Sequence, residues 1–471
     1  MSKASALILA AGQGKRMKSK LPKVLHPVCG QAMIEHVMEA AAGAGLERQV
    51  LVVGYQGDKV VKAVGDQVEY VWQREPAGTG HAVQQARGCF EENECIVVLC
   101  GDTPLLTAQV VHRLLESHRA SGAAATVLTV ELEDPSGYGR IVRGEDGEIK
   151  RIVEETDASS AERGITEVNT GIYCFQAGPL FRVLRSLQPE NAQGEYYLTD
   201  VLALLQASGH RVKAVQTSDR AAVMGVNTRQ ELARADRMMR EQIIDRLMSE
   251  GVTVVEPSLT FVHKRVSVGK DTVLHPHTYL LGDTIVGEGA TIGPSAQISN
   301  SHIGDGALVW YSVVVESEVG AETTVGPFAY LRPGTRIGRK VRIGDFVEVK
   351  NSRVGNESKI PHLSYIGDTD IGDKVNIGAG VIVVNYDGLE KHRTHIGDQA
   401  FVGCNSNLIA PVKVGARSYI GAGSTINQDV PEGALGIGRG RQVNKEGWAD
   451  RFRERRGQKN QARRGAEVEK A

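Results

Sequence analysis

The sequence predicts a two-part fold, an α/β doubly wound N-terminal domain followed by an all-β solenoid of short stacked strands. Three observations predict it. At 471 residues the chain is too long for one ordinary core. Over residues 1–227 the compact apolar runs Ala6–Ala10, Gln49–Val53 and Cys95–Cys100 alternate with helical stretches such as Met33–Ala44 and Ala108–Arg119. That is the pattern of buried parallel strands joined by crossover helices. From 266 to 430, aliphatic residues recur every six positions, a period that marks a repeat architecture.

In the repeat region each six-residue unit is read as one short strand, with three strands to a triangular coil. Val268, Leu274 and Leu280 begin the ladder, Ile303, Val309 and Val315 continue it, and Ile420 and Ile426 close it. One aliphatic per strand points inward and stacks on its equivalent in the next coil. Gly follows many of them, as at Gly287, Gly344 and Gly403, and supplies turn conformations. Between the two parts, residues 228–250 carry apolar residues at helical spacing and read as one linker helix. The domain division expected is therefore 1–227, 228–250, 251–438, and a polar basic tail at 439–471 with Arg451, Arg453, Arg455, Arg456, Arg463 and Arg464. The tail reads mostly as a solvated segment.

Net charge is −1, so bulk electrostatics give no reason to expect a nucleic-acid partner. No apolar run reaches membrane-spanning length, and Met1-Ser2-Lys3-Ala4-Ser5 does not read as a secretory signal. The six cysteines contain no Cys-x-x-Cys pair, which argues against a zinc site and fits a reduced, cytoplasmic location.

Chemistry enters with the loop after the first strand, Leu9-Ala10-Ala11-Gly12-Gln13-Gly14-Lys15-Arg16-Met17. Gly12 and Gly14 let backbone N–H groups approach a polyphosphate, although a Gly-x-Gly alone is also a tight βα turn. Met17 stands where a dinucleotide fingerprint has its third Gly, and no Gly-Lys-Ser/Thr ending is present. The run Gly-x-Gly-x-Arg-Met followed by Leu21-Pro22-Lys23 resembles the signature of sugar-phosphate nucleotidyltransferases. Asp102, just past the strand Cys95–Cys100, lies where open α/β sheets bind ligands; it is a candidate Mg²⁺ ligand or a helix cap. Asn227 resembles the second metal ligand of the uridylyltransferase branch, with a turn or cap as its alternative. Gln73 and Gly78-Thr79-Gly80 resemble that branch's uracil-reading segment. Gly139, Glu154 and Asn169 resemble its sugar-binding positions, and Gly194–Asp200 matches a site-shaping segment. Cys100 departs from the aromatic residue of some relatives.

The repeats alone leave open whether the solenoid is a scaffold or a second enzyme. Val383 and Ile396 are 13 positions apart where the repeat wants six, so about seven extra residues must leave the stack as a loop. Arg332 and Lys350 each follow an inward aliphatic and so point out; they are sugar-phosphate ligands or plain surface cations. His362 is a base or an ordinary exposed histidine.

Arg332, Lys350, His362, Tyr365, Asn376, Asn385 and Tyr386 all match positions of the bifunctional N-acetylglucosamine-1-phosphate uridylyltransferase/glucosamine-1-phosphate acetyltransferase family. The resemblance runs from Leu9 to about Arg439. It implies a left-handed parallel β-helix, an exception to the right-handed rule, and an N-terminal Rossmann-like nucleotidyltransferase domain. It further implies two reactions leading to UDP-N-acetylglucosamine, a precursor of bacterial envelope sugars. By it, Leu9, Ala10, Gly12, Lys23, Gln73, Gly78 and Thr79 hold UTP, and Mg²⁺ sits on Asp102 and Asn227. Gly139, Glu154 and Asn169 hold the sugar of the nucleotide product. His362 is the general base for acetyl transfer, with Glu348 as its orienter. Arg332, Lys350, Tyr365, Asn376, Asn385 and Tyr386 bind the sugar phosphate. Ala379, Cys404, Ala422 and Arg439 meet acetyl-CoA, Cys404 replacing the Ser of some members. A homotrimer with acetyl-transfer sites between subunits is inherited from the same resemblance.

Overall fold

The structure, a computed structural model, describes residues 3–468; Met1, Ser2, the side chains of residues 464–468 and residues 469–471 lie outside the described residues. The chain forms two compact units, Met1–Gly306 and Ala307–Ala471.

In the first unit one sheet runs in the order Val212–Thr217, Ala125–Glu131, Glu167–Gln176, Cys95–Cys100, Ala4–Ala10, Gln49–Val53, Glu69–Trp72. The three apolar runs singled out from sequence are parallel neighbours, Leu7 opposite both Val50 and Val98. Alternate residues of each strand feed opposite faces. Leu7, Val50, Val52, Ile96 and Val98 enter one core, and Ile8, Leu51, Val53, Val97 and Leu99 the other. A sheet covered on both faces needs such unbroken apolar strands. The sheet is mixed, because Glu167–Gln176 runs antiparallel to both its neighbours. Its register shifts between Asn169 and Tyr173, at Gly171 with φ +77°.

The helix Arg229–Ser249 starts at a capping box, with the Thr228 hydroxyl on the Glu231 N–H and the Glu231 carboxylate returning to the cap. Beyond it, coils begin at Thr253–Val254. The first coils belong to the same compact unit as the α/β sheet because they pack on it. The Lys264 N–H donates to the Cys29 carbonyl, its ammonium pairs with Glu39, and Arg240 lies 4.4 Å over the Phe261 ring.

The second unit is a solenoid of parallel rungs of two to four residues. The predicted inward aliphatics Val309, Leu331, Val349, Ile366, Ile377, Leu408 and Ile420 are all essentially buried. One rung differs. Val314, not Val315, is the inward residue, paired in register with Leu331. The step from Val309 is five residues, since the corner there is one residue shorter. Buried hydroxyls tie successive coils: Ser358 Oγ donates to the Gly372 carbonyl and accepts from the Val375 N–H. Such partners remove the cost of burying a polar side chain. The tail is solvent-exposed through residue 463, and Trp448–Val468 is helical. None of the six cysteines, all among the described residues, forms a disulfide.

Candidate active sites

In the first unit the carboxyl ends of the parallel strands open on a cavity of about 500 Å³. Leu9 and Ala10 end the first strand, and Gly12, Lys23, Gln73, Gly78, Thr79, Asp102 and Asn227 line the same cavity, with Arg16 beside them. Gly14 adopts φ +59°, and a Cβ there would stand 2.7 Å from Lys23 Cβ, so glycine is what lets the lysine stem pass. Lys23 Nζ donates to Asp102 Oδ2 and, at 3.0 Å, to Asn227 Oδ1. Two hard oxygen donors thus converge on one positive charge. Asp102 and Asn227 are brought together by backbone, the Val226 N–H donating to the Asp102 carbonyl at 2.9 Å. Neither serves as the helix cap weighed from sequence. Thr107 caps Ala108–Ser121 and Thr228 caps Arg229–Ser249.

Gly78, with φ +108°, lies so close to Tyr196 that a Cβ would meet its carbonyl oxygen at 2.6 Å. The Gly80 N–H donates to the Tyr196 carbonyl, and the Thr79 hydroxyl accepts from the Leu198 N–H. The Gly194–Asp200 segment therefore clamps the Gly78–Gly80 loop. Gln73 spends its amide N–H₂ on the Gly78 carbonyl and on His81 Nδ1, leaving its carbonyl oxygen for a ligand. Gly139, Glu154 and Asn169 form a group of their own, not part of that cavity lining. The Asn169 N–H donates to the Gly139 carbonyl at 2.8 Å, and a Cβ on Gly139 would stand 3.2 Å from Glu154 Oε2. Burial holds the Glu154 carboxyl above its ordinary range, against the Thr199 hydroxyl bonded to it. Cys100 lines the cavity, and its thiol donates to the Gly171 carbonyl. Burial, aided by the Asp102 charge, pushes that thiol up to about 12, so it stays neutral.

In the second unit the strands Arg342–Asp345 and Lys359–His362 pair with Ile343 opposite Ile360 and Asp345 opposite His362. Ile377, Val402 and Ile420 continue the Ile360 ladder. Two residues beyond each lie His362, Ala379, Cys404 and Ala422, all at one corner of successive coils. The coils touch there through backbone: the Asn405 N–H donates to the Ala379 carbonyl and the Gly423 N–H to the Cys404 carbonyl. Cys404 is exposed. Arg439 is exposed and follows Gly438, whose carbonyl accepts from the Thr425 N–H.

Around the corner, Arg332, Lys350, Tyr365 and Asn385 gather about two carboxylates. Arg332 Nη1 donates to Glu348 Oε1 at 2.7 Å, and Glu348 is opposite Tyr365 in register. Asp368 accepts from Lys350 Nζ at 3.2 Å, from Asn351 at 2.6 Å, and from the Asn385 amide. Burial opposes ionisation of Asp368, but these donors hold its carboxyl below the usual range. The loop that leaves the stack closes on itself. Tyr386 bridges Lys391, Asp387 Oδ1 accepts from the Leu389 and Glu390 N–H groups, and Arg393 grips Asp370 through two bonds at 2.7 and 2.6 Å. Tyr386 stands exposed on it, its hydroxyl donating to the Gly388 carbonyl. Asn376 lies on the face that carries Lys359 and Phe401. His392, in the loop, and His395, on the strand Thr394–Ile396, face separate carboxylates, Asp387 and Asp370.

Sequence reasoning missed Asp345 and Asp368. Glu348, expected to orient His362, faces Arg332 instead, and the carboxylate on His362 is Asp345. The six-residue period names the inward residues but not which outward side chains meet across coils. A count of 17 between Asp345 and His362, one coil, was the signal available.

A nucleotidyl transferase family model matches residues 5–221, and a bacterial transferase hexapeptide model (six repeats) matches 393–428. The chain is 50% identical to the bifunctional protein GlmU of Geobacillus sp. (strain WCH70) over 453 residues, 96% of this chain and 99% of that protein. It is 50% identical to the bifunctional protein GlmU of Brevibacillus brevis, over 96% of this chain and 98% of that protein. For the bifunctional protein GlmU of Heliobacterium modesticaldum the identity is 49%, over 96% and 99% respectively.

Proposed function

We infer, from the premise that this chain belongs to the family of the bifunctional protein GlmU, that it makes UDP-N-acetylglucosamine at two sites. The solenoid acetylates glucosamine 1-phosphate with acetyl-CoA. The N-terminal domain then transfers uridylyl from UTP to N-acetylglucosamine 1-phosphate and releases pyrophosphate. We assign uridylyl transfer to residues 1–227 and acetyl transfer to 251–438, with 228–250 as the connecting helix and 439–471 as a polar basic tail.

In uridylyl transfer a sugar-phosphate oxygen attacks the α-phosphorus in line, and the P–O bond to pyrophosphate breaks. The nucleophile is already anionic, so the task of the protein is to align the groups and offset charge repulsion. Arg16 and Lys23 supply fixed positive charge in the cavity, and the N–H groups of the Gly12–Gly14 loop face the phosphates. Gln73, Gly78 and Thr79 hold the base, and Gly139, Glu154 and Asn169 hold the sugar. The convergence of Asp102 and Asn227 on one cation fits Mg²⁺, which takes hard oxygen ligands and completes its shell with substrate phosphates. When bound there, Mg²⁺ offsets charge on the phosphates.

In acetyl transfer the 2-amino nitrogen forms a bond to the acetyl carbonyl carbon, the C–S bond breaks, and coenzyme A leaves with the sulfur electrons. His362 accepts the amine proton. Arg332 and Lys350 offset the sugar-phosphate charge, while Tyr365, Asn376, Asn385 and Tyr386 orient the sugar. Ala379, Cys404, Ala422 and Arg439 carry the thioester substrate.

The observation that supports the two-site reading is that His362, assigned here as the base, shares one corner of successive coils with Ala379, Cys404 and Ala422, assigned to the acyl carrier. We place the enzyme in the cytoplasm as a homotrimer with small-molecule substrates and no nucleic-acid partner. No described helix is long and apolar enough to cross a membrane. The test is acetyl-CoA-dependent loss of the primary amine of glucosamine 1-phosphate without UTP. The natural chain shows it, and His362→Ala loses it while still uridylylating N-acetylglucosamine 1-phosphate. A well-folded natural chain with no acetylation would reduce the solenoid to a scaffold.

A further inference from the structure

We propose that Asp345 is a positioning residue for acetyl transfer, fixing the tautomer and ring orientation of His362. The proposal rests on the reading of His362 as the base. Asp345 Oδ1 lies 2.6 Å from His362 Nδ1. The bond from His362 is the main cause holding the Asp345 carboxyl below its usual range, with Arg342 adding to it. An ionised carboxylate only accepts, so Nδ1 carries the proton and Nε2 keeps its lone pair. Nε2 is therefore the atom that takes a proton from the amine.

The backbone sets the two residues side by side for this contact. Asp345 and His362 are directly paired across adjacent coils, and a Cβ on Gly344, just before Asp345, would overlap the Pro361 carbonyl, just before His362. The Asp345 carbonyl also accepts from the Leu363 N–H at 2.9 Å, and the Ser364 hydroxyl donates to the His362 carbonyl at 2.8 Å. The backbone around His362 is thus held, and the Asp345 carboxylate orients the ring upon it. Glu348 is engaged by Arg332 and leaves this role to Asp345.

The experiment compares the full-length natural chain with Asp345→Asn, Asp345→Ala and His362→Ala. It measures both activities and the ¹⁵N shifts of labelled histidine, with the His362 signal identified by its loss in His362→Ala. In the natural chain the protonated nitrogen of His362 is Nδ1. In Asp345→Asn the amide is free to donate to Nδ1, and the population moves to the Nε2–H form. With it, kcat for acetyl transfer falls about 10²-fold, the lower end of what a positioned base contributes. KM for glucosamine 1-phosphate changes less than twofold, and uridylyl transfer is unchanged. An unaltered tautomer, kcat within threefold of natural, or a loss confined to KM each overturns the proposal. Acetylation surviving in His362→Ala sinks the base reading instead, while the nitrogen shifts still decide what Asp345 does to the ring.

Discussion

Gly367 sits between the two residues that the acetyl-transfer reading needs most for the sugar. A Cβ on it would lie 2.6 Å from Asn385 Nδ2 and 2.6 Å from the Tyr365 hydroxyl. Both are ends of side chains, so Gly367→Ala displaces them without forcing the coil backbone apart. What is lost is the bond from the Asn385 amide to Asp368, the carboxylate that also anchors Lys350. A hydrogen bond to a charged group contributes about 1.5–3 kcal/mol. At about 1.4 kcal/mol per decade, kcat/KM for acetyl transfer should fall roughly 10- to 150-fold. The assay is coenzyme A thiol release from acetyl-CoA and glucosamine 1-phosphate. Pyrophosphate release from UTP and N-acetylglucosamine 1-phosphate is followed in parallel, together with the thermal midpoint. Uridylyl transfer should stay within twofold and the midpoint within a few degrees. Acetyl transfer within threefold of natural would refute the roles given to Asn385 and Tyr365. A joint fall of both activities with the midpoint would refute the claim that only side chains move.

Two further outcomes follow from the first unit. Gly14→Ala puts a non-glycine residue at φ +59°, costing about 1–2 kcal/mol, and pushes on Lys23; pyrophosphate release should drop at least tenfold while acetyl transfer persists, and equal losses in both would contradict it. His36 is buried with Nε2 on the Val28 carbonyl and Nδ1 against the Lys264 ammonium, and burial followed by that charge lowers its pKa to about 4. The unfolded chain binds the extra proton first, so His36 contributes stability above about pH 6.5 that is lost as pH falls towards 4, on the order of 3 kcal/mol. His36→Gln should flatten the fall of the thermal midpoint between pH 7 and 4.5, and an unchanged slope would count against the buried neutral imidazole.

How much of this was legible in the sequence differs between the two units for a physical reason. In the solenoid, burial alone selects the inward residue, so a one-dimensional count found nearly every rung. It failed at Val315, where a shorter corner made Val314 the inward residue. The outward chemistry was legible only where a residue type was distinctive, as with His362. Asp345 escaped because its meaning depends on the residue one coil away. In the α/β unit the parallel strands announced themselves as unbroken apolar runs. Glu167–Gln176 did not, since Glu167, Asn169 and Thr170 interrupt its apolar pattern and its antiparallel direction is set by tertiary packing. Lys23, Asp102 and Asn227 come from three distant segments, and only the folded sheet shows that they share a point.

The corner column that runs from Asp345 through His362, Ala379 and Cys404 to Ala422 behaves as a graduated scale. Each coil advances it by about 4.8 Å, so Ala422 stands three divisions, roughly 14 Å, from the imidazole. The loop after Asn385 leaves the stack and re-enters without disturbing the count, since Ile377 still meets Val402 directly. Reach along this surface can change only by whole coils. A chain that gained or lost one coil between His362 and Ala422 would keep its stacked core yet hold a long acyl carrier one full division out of step with the base.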